Sequence, residues 1–371
     1  MPSHQMHESS PGEKVKLCFV LVGLVIRSLL SFSIKLIPRL AAGWPLGRIL
    51  VVSYMRSLSW LSFSQSRTIT VPTGQAIQKF CQKAGLFCKS VDVPSSSGPQ
   101  ATLHYIQIAD LPQPRLLLYF HGGGYCHPID AFGQLPFALE CAHAASASSL
   151  VCLEYTLAPE LPYPGQLLQA VSAVSHILET HNPSQILLGG DSAGGHLLLS
   201  LLAHIQTPHP AAKPLSESVQ GEKFLGAFAI SPWVSMNYNS PSFAQNASRD
   251  YLRAERIMPF IEMWKPSLIE VWAELLVGDG EFWGDVKVER VLLTSGEWEC
   301  FYDDIVEMAG KLKAREVGVG GKVELCVGER EVHIQCAVDM AVGARHGKSA
   351  REILAWLRRV GGEKRGVLEE V

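Results

Sequence analysis

The chain has 371 residues, 47% of them hydrophobic, and a formal charge of −3, enough apolar material for a large core and too much for a disordered chain. The charge is unevenly placed: Lys14 to Val91 holds eleven Lys or Arg and no Asp or Glu, whereas from Asp92 onward 33 acidic residues outnumber 21 basic ones. The basic residues are diluted among Leu, Ile, Val and Trp, which argues against nucleic acid and for an anionic lipid surface. Nine cysteines without CxxC pairs or ligand-type spacing argue against a disulfide framework and against a metal site.

Residues 1–45 read as a basic, apolar membrane-anchor segment. LCFVLVGLVI, Leu17 to Ile26, is by itself short of the about 20 residues that span a bilayer. Its continuation carries Arg27, Ser31, Lys35 and Arg39 at every fourth position among apolar residues, a basic stripe suited to a membrane interface. Arg27 at mid-bilayer costs about 2.5–3.5 kcal/mol, so attachment is expected rather than a particular topology. A cleaved signal peptide ahead of LAAG and a helix packed on the rest of the chain are the competing readings. Residues 46–100 form a leading helical region placed to serve as a cap, through RILVVSYMRSLSWLSF and TGQAIQKFCQKAGLF to the loop VPSSSGPQ.

From residue 101 to 371 strands and helices alternate. ATLHYIQI, RLLLYF, SLVCLEY, QILLGG, FLGAFAIS, RVLLTSG and KVELCVG read as strands, and Pro164–Thr180, HLLLSLLAHI, CFYDDIVEMAGKLKA and SAREILAWLRRV as helices. That rhythm predicts an α/β fold, a mostly parallel sheet with helices on both faces. TPHPAAKPLSES reads as a surface loop, and the irregular aromatic stretch of about residues 233–283, Trp233 to Trp283, as part of a lid.

The chemistry centres on Gly190-Asp191-Ser192-Ala193-Gly194, a G-x-S-x-G pattern between a strand and a helix. A nucleophile on such an elbow has a strained backbone, needs small flanking residues, and sits at a helix N-terminus that favours developing negative charge. A phosphate-cradling loop is the rival, but neither G-x-G-x-x-G nor G-x-x-x-x-G-K-[ST] is present. Upstream, His121-Gly122-Gly123-Gly124 closes another strand, and backbone N–H groups in a glycine turn suit the oxyanion of acyl transfer.

The chain resembles the hormone-sensitive-lipase-like branch of the α/β-hydrolase superfamily in HGGGY (His121 to Tyr125), EYTLAPELPYP (Glu154 to Pro164), GDSAGG (Gly190 to Gly195) and SPWV (Ser231 to Val234). Within it, the chain looks most like fungal membrane-associated members, steryl acetyl hydrolases among them, which also carry an apolar N-terminal segment. The resemblance implies an eight-stranded core, a helical cap, no cofactor, and oxyanion hydrogen bonds from Gly123, Gly124 and Ala193. Thr156 stands where the family commonly has an arginine, so a supporting contact is missing.

Two partners of Ser192 are expected after later strands, an acid and then a histidine. RVLLTSG is followed by Glu297, Glu299, Asp303 and Asp304; the family's G-x-x-D/E pattern falls on Glu299, with Glu297 the runner-up and the two aspartates suited to a helix first turn. After KVELCVG comes His333, with His346 farther on beside a helix. In the expected chemistry His333 takes the Ser192 proton, Glu299 holds the imidazole, and water later frees the acyl group.

These features point to a serine esterase acting on a short acyl, notably acetyl, ester of a hydrophobic alcohol such as a sterol, a terpenoid or a polyketide, at a membrane such as the endoplasmic reticulum. A tailoring hydrolase of a natural-product pathway acting on another ester, lactone or amide is the alternative. A non-catalytic ligand-binding protein, as in the plant gibberellin receptors that resemble the same branch, is a third reading that the presence of Ser192, Glu299 and His333 disfavours. Asn246-Ala247-Ser248 is a glycosylation sequon inside the expected lid.

Overall fold

Runs such as LLLYF, GAFAI and VLLTSG are too short for helices, carry no charge and are buried at every position, the pattern of strands covered on both faces. The computed structural model describes residues 11–58, 60–94, 100–110, 114–215, 219, 221–313, 315–316 and 321–362. Parts of two expected loops, 95–99 of VPSSSGPQ and 216–218 of TPHPAAKPLSES, lie outside them. The chain divides into two units, Met1–Thr70 and Val71–Val371.

The first unit holds α1 (Pro11–Ala41), α2 (Leu46–Leu58) and α3 (Phe63–Ile69). Within α1, Val20–Ala41 has 22 residues and a mean hydropathy of 2.0, long and apolar enough to cross a membrane. At 1.5 Å per residue that is about 33 Å, against a hydrocarbon core of about 30 Å. The expected basic stripe is partly covered: Arg27 is exposed, with its guanidinium 4.0 Å from the Trp60 ring, whereas Arg39 is buried, 3.8 Å from the Trp44 ring. Leu29, Leu30, Ile34 and Ile37 are exposed as well, so much of the outward surface of the helix is apolar. Cation–π contacts inside the unit account for the difference.

The second unit begins with α4 (Thr73–Ala84) and contains β1 (Cys88–Val93), β2 (Ala101–Gln107), β3 (Leu116–Phe120), α5 (Gln134–Ala144), β4 (Ser149–Glu154), α6 (Gly165–Leu178), β5 (Ile186–Asp191), α7 (Ala193–Gln206) and β6 (Gly226–Ile230). It continues through α8 (Pro241–Asn246), α9 (Ala254–Trp264), β7 (Val291–Gly296), α10 (Tyr302–Lys311), β8 (Arg315–Glu316), β9 (Val323–Gly328), α11 (Gln335–Ala341) and α12 (Lys348–Val360). The sheet order is β1-β2-β4-β3-β5-β6-β7-β9-β8. β2 is antiparallel to both of its neighbours, and every other pairing is parallel. Eight strands of five to seven residues make the expected core, and the two-residue β8 is added at one edge.

One element departs from expectation: CKSVDV is strand β1 rather than the tail of a helical region. Its half-polar, half-exposed sequence carries little strand signal, and it is held by register with β2, Cys88 opposite Ile106 through Val93 opposite Ala101.

β4 and β5 lie on opposite sides of β3. The right-handed crossovers β3-α5-β4 and β4-α6-β5 therefore place α5 and α6 on opposite faces. Such a reversal opens a crevice beyond the carboxyl ends of the strands. Both glycine motifs leave the sheet there, HGGG after β3 and the Ser192 turn after β5, with Phe120 paired to Gly190.

Candidate active site

Ser192 lies between β5 and α7 with φ 51° and ψ −118°, the strained backbone expected of an elbow. Its N–H donates to Ile230 O (2.9 Å) and its carbonyl accepts from Trp233 N (3.0 Å), so β6 and the chain after it hold the turn from both sides. Gly194 cannot carry a side chain, because a Cβ there would collide with the carbonyl of Phe120. The close β3–α7 approach that brings the HGGG loop beside Ser192 depends on that missing atom.

His333 Nε2 is 2.9 Å from Ser192 Oγ, and both residues are buried. His333 Nδ1 is 3.6 Å from Glu299 Oε2 and has no hydrogen-bond partner, an ion-pair distance rather than a formed hydrogen bond. Glu299 is fully buried; Ser231 Oγ donates to its Oε2 (2.6 Å) and Ser295 Oγ to its Oε1 (2.9 Å). Catalytic contacts in a ligand-free site are often long and tighten on binding. The rival residues are placed elsewhere. Glu297 is exposed and accepts from Arg330 N (2.8 Å), and His346 pairs with Glu140 on α5 (2.8 Å). Asp303 and Asp304 sit in the first turn of α10, where Asp303 accepts from Ser242 N (2.6 Å) and Asp304 from Ser240 Oγ.

The oxyanion candidates occupy the two adjacent loops. Gly123 and Gly124 follow β3 with φ 116° and 61°, and Ala193 is the first residue of α7. The HGGG turn is closed by Cys126 N and His127 N, both donating to Gly123 O at 3.0 Å, and by Tyr155 Oη donating to His121 O at 2.7 Å. A Cβ on Gly124 would run into the Phe260 ring, so α9 packs directly on that glycine.

Several residues to which sequence reasoning gave no supporting role in the site hold this arrangement. Asp191 accepts from Tyr119 Oη (2.8 Å), Gly122 N (3.1 Å) and Gln134 Nε2 (2.6 Å), tying the elbow to the HGGG loop. Burial pushes its carboxyl up and the three donors oppose that rise. Asp250 plays the same part for the other two loops: Oδ1 accepts from Tyr251 N (2.7 Å) and His333 N (3.3 Å), and Oδ2 from Cys300 N (2.9 Å). Its burial raises the carboxyl to about 6, against the lowering pull of His333. Asn246, the sequon residue, is buried, and its amide nitrogen donates to Glu297 O (3.1 Å) and Glu299 O (2.9 Å). Thr156, at the arginine position, is gripped by Gln169, whose side chain accepts from Thr156 N (2.8 Å) and donates to Thr156 Oγ1 (3.0 Å).

The surround is aromatic. Phe301 stands edge-on to His333 (5.1 Å) and stacks on Trp233 (6.3 Å), Tyr251 is edge-on to His333 (5.9 Å), and Trp264 stacks on Tyr125 (4.3 Å). Among the described residues, no group of three or more His, Cys, Asp or Glu side chains is arranged to hold a metal ion.

A strand-to-helix serine beside a histidine and a buried glutamate, on this sheet order, defines a class that comparison with known proteins bears out. A family model described as alpha/beta hydrolase fold matches residues 117–336, and the chain belongs to that family. It is 30% identical over 150 residues to an acetyl-hydrolase of Streptomyces hygroscopicus, covering 37% of this chain and 42% of the relative. To carboxylesterase NlhH of Mycobacterium tuberculosis it is 29% identical over 163 residues, covering 41% and 46%. The chain thus spans about half the length of the curated relatives it matches. Among solved structures, carboxyl esterase 2 of the mycorrhizal fungus Tuber melanosporum superposes with a TM-score of 0.61 at 20% identity, covering 74% of this chain and 87% of that one. An esterase of the bacterial hormone-sensitive lipase family gives 0.60 at 22%, covering 86% and 99%. These two structures share the fold.

Proposed function

We propose that the protein is a serine ester hydrolase. The observation that carries the reading is the 2.9 Å contact between Ser192 Oγ and His333 Nε2 on a positive-φ elbow, with the buried Glu299 carboxylate on the far side of the ring. Ser192 Oγ attacks the ester carbonyl while its proton passes to His333 Nε2. The tetrahedral oxyanion is held by backbone N–H groups of Gly123, Gly124 and Ala193, and Glu299 stabilises the imidazolium. The imidazolium then protonates the departing alcohol, and water, deprotonated by His333, releases the acid and regenerates Ser192.

The proposed substrate is a short acyl ester, notably an acetate, of a hydrophobic alcohol of the sterol or terpenoid kind. Three features support it: the aromatic wall of Trp233, Trp264, Tyr251 and Phe301, the apolar outward face of α1, and the acetyl-hydrolase among the relatives. In the same proposal α1 is a membrane anchor. Ser192→Ala is expected to abolish hydrolysis of p-nitrophenyl acetate and labelling by a fluorophosphonate; activity persisting at the wild-type level refutes the assignment. The full chain is expected to stay with membranes, alongside endoplasmic-reticulum markers, after carbonate extraction. Leu30→Asp with Ile34→Asp is expected to release it, since each acidic residue costs about 2.5–3.5 kcal/mol at mid-bilayer.

A further inference from the structure

α9 packs on the HGGG loop through Phe260, and Arg256 lies one turn earlier in the same helix. Phe260 packs on Gly124, the HGGG glycine, and Arg256 Cζ lies 5.7 Å from the Phe260 ring centre. Five residues before Arg256, the Tyr251 ring stands 5.9 Å from that of His333. Arg256 thus neighbours a residue that touches the HGGG loop, and Tyr251, five positions earlier in the chain, neighbours His333.

Arg256 is half-buried and makes no ion pair or hydrogen bond among the described residues. The acidic groups nearest in sequence are engaged elsewhere: Asp250 accepts from three backbone N–H groups, and Glu255 pairs with Arg253 (4.0 Å). The Tyr251 hydroxyl is buried with no hydrogen-bond partner. Burial lowers the basicity of Arg256, and Tyr251 is the group that offsets it. A buried hydroxyl without a partner is costly unless a ligand completes it, and a half-buried guanidinium without a carboxylate partner can receive one.

We propose that Arg256 and the Tyr251 hydroxyl form an anion-recognising subsite beside Ser192, so that the preferred esters carry a carboxylate on an otherwise apolar substrate. The guanidinium fork accepts a carboxylate in bidentate fashion, and Tyr251 O–H donates to the same oxygens. This rests on the ester-hydrolase reading and names its substrate class. The carboxylate can enter on either side of the ester bond, and the test separates the two.

The acyl side is probed with p-nitrophenyl hydrogen glutarate against p-nitrophenyl pentanoate, the alcohol side with p-acetoxybenzoate against phenyl acetate. The quantity read is kcat/KM for the acidic ester divided by that for its neutral partner. In Arg256→Ala this ratio is expected to fall about tenfold or more in one of the two pairs, the usual consequence of removing a desolvated charge partner. Arg256→Lys is expected to restore part of it. The pair that responds tells which side of the ester bears the anion, and a ratio unchanged in both pairs overturns the proposal. Binding of the same esters to the Ser192→Ala protein, read by tryptophan fluorescence, separates this from failure of the hydrolase reading. If no ester is turned over, a preference for the acidic esters that disappears when Arg256→Ala is added still supports the subsite, and equal affinity in both backgrounds refutes it.

Discussion

Asp250→Asn isolates the residue that joins the acid loop to the base loop. The Asp250 side chain is buried and accepts three backbone N–H groups, from Tyr251, Cys300 and His333. Its carboxyl is raised from the ordinary 3.8 to about 6, mainly by burial. A carboxyl raised on folding stabilises the fold fully below its unfolded value, near pH 4, and loses that contribution as pH climbs through about 6. With about 1.4 kcal/mol per pH unit, the gap corresponds to about 3 kcal/mol. Asparagine does not titrate. Its oxygen keeps the Tyr251 and His333 contacts, while its NH2 faces the Cys300 N–H, donor against donor, for a roughly pH-independent cost of about 1–3 kcal/mol. Urea unfolding of both proteins between pH 4 and 8 is then expected to show wild type gaining on the variant as pH falls, by about 3 kcal/mol across the window. A difference that is flat, or that grows towards alkaline pH, refutes the reasoning. The variant is also expected to lose about 10- to 100-fold in kcat with little change in KM, because the loop carrying His333 shifts relative to Ser192.

Glu299→Gln is expected to lower kcat about 10³- to 10⁴-fold, as loss of the orienting carboxylate does in other triads, whereas Glu297→Gln, on the solvent side, stays within about twofold; equal losses in a steady-state assay contradict the assignment. Gly124→Ala places a methyl in the Phe260 ring at a backbone with φ 61°, and is expected to cut kcat/KM about 10- to 100-fold through displacement of the oxyanion loop; a near-wild-type rate argues against that loop as the oxyanion site. Asn246 is expected to carry no glycan even in a glycosylating host, because its amide is committed to two carbonyls of the acid loop. A mobility shift on glycosidase treatment rules that packing out.

The parts of the site that could be read from the chain were those imposed by sterics and order. The glycines of HGGG and GDSAGG are demanded by close backbone approach, and each follows a buried strand, so pattern and context agree. Glu299 and His333 could be proposed from the chain because each follows its own apolar strand, although the choice of Glu299 over Glu297 came from family resemblance. Asp250, Ser231, Ser295 and Asn246 act across sequence distances of 50 residues or more, except for Ser295, which is four residues from Glu299. Such contacts leave no local periodicity, and a lone polar residue in an irregular segment looks like any surface residue. The strand β1 was hidden for a related reason: its conformation is set by pairing with β2, not by its own composition. The arginines of α1 followed the expected spacing, but spacing alone did not reveal that aromatic rings cover two of them.

The segment from Ser240 to Leu252 reaches the triad loops through Asn246, Ser242 and Asp250, all of them hydrogen-bonded to residues after β7 or β9. For anyone building chimeras, this sets where the chain can be cut. A donor segment joined at Trp233 and Trp283 would bring foreign supports to the loops of Glu299 and His333, and under the proposed function the hybrid would lose turnover before it gained a new specificity. Joints placed after Leu252 keep the supports with the loops they hold, and leave α9 with Arg256 and Phe260 as the portion free to be exchanged.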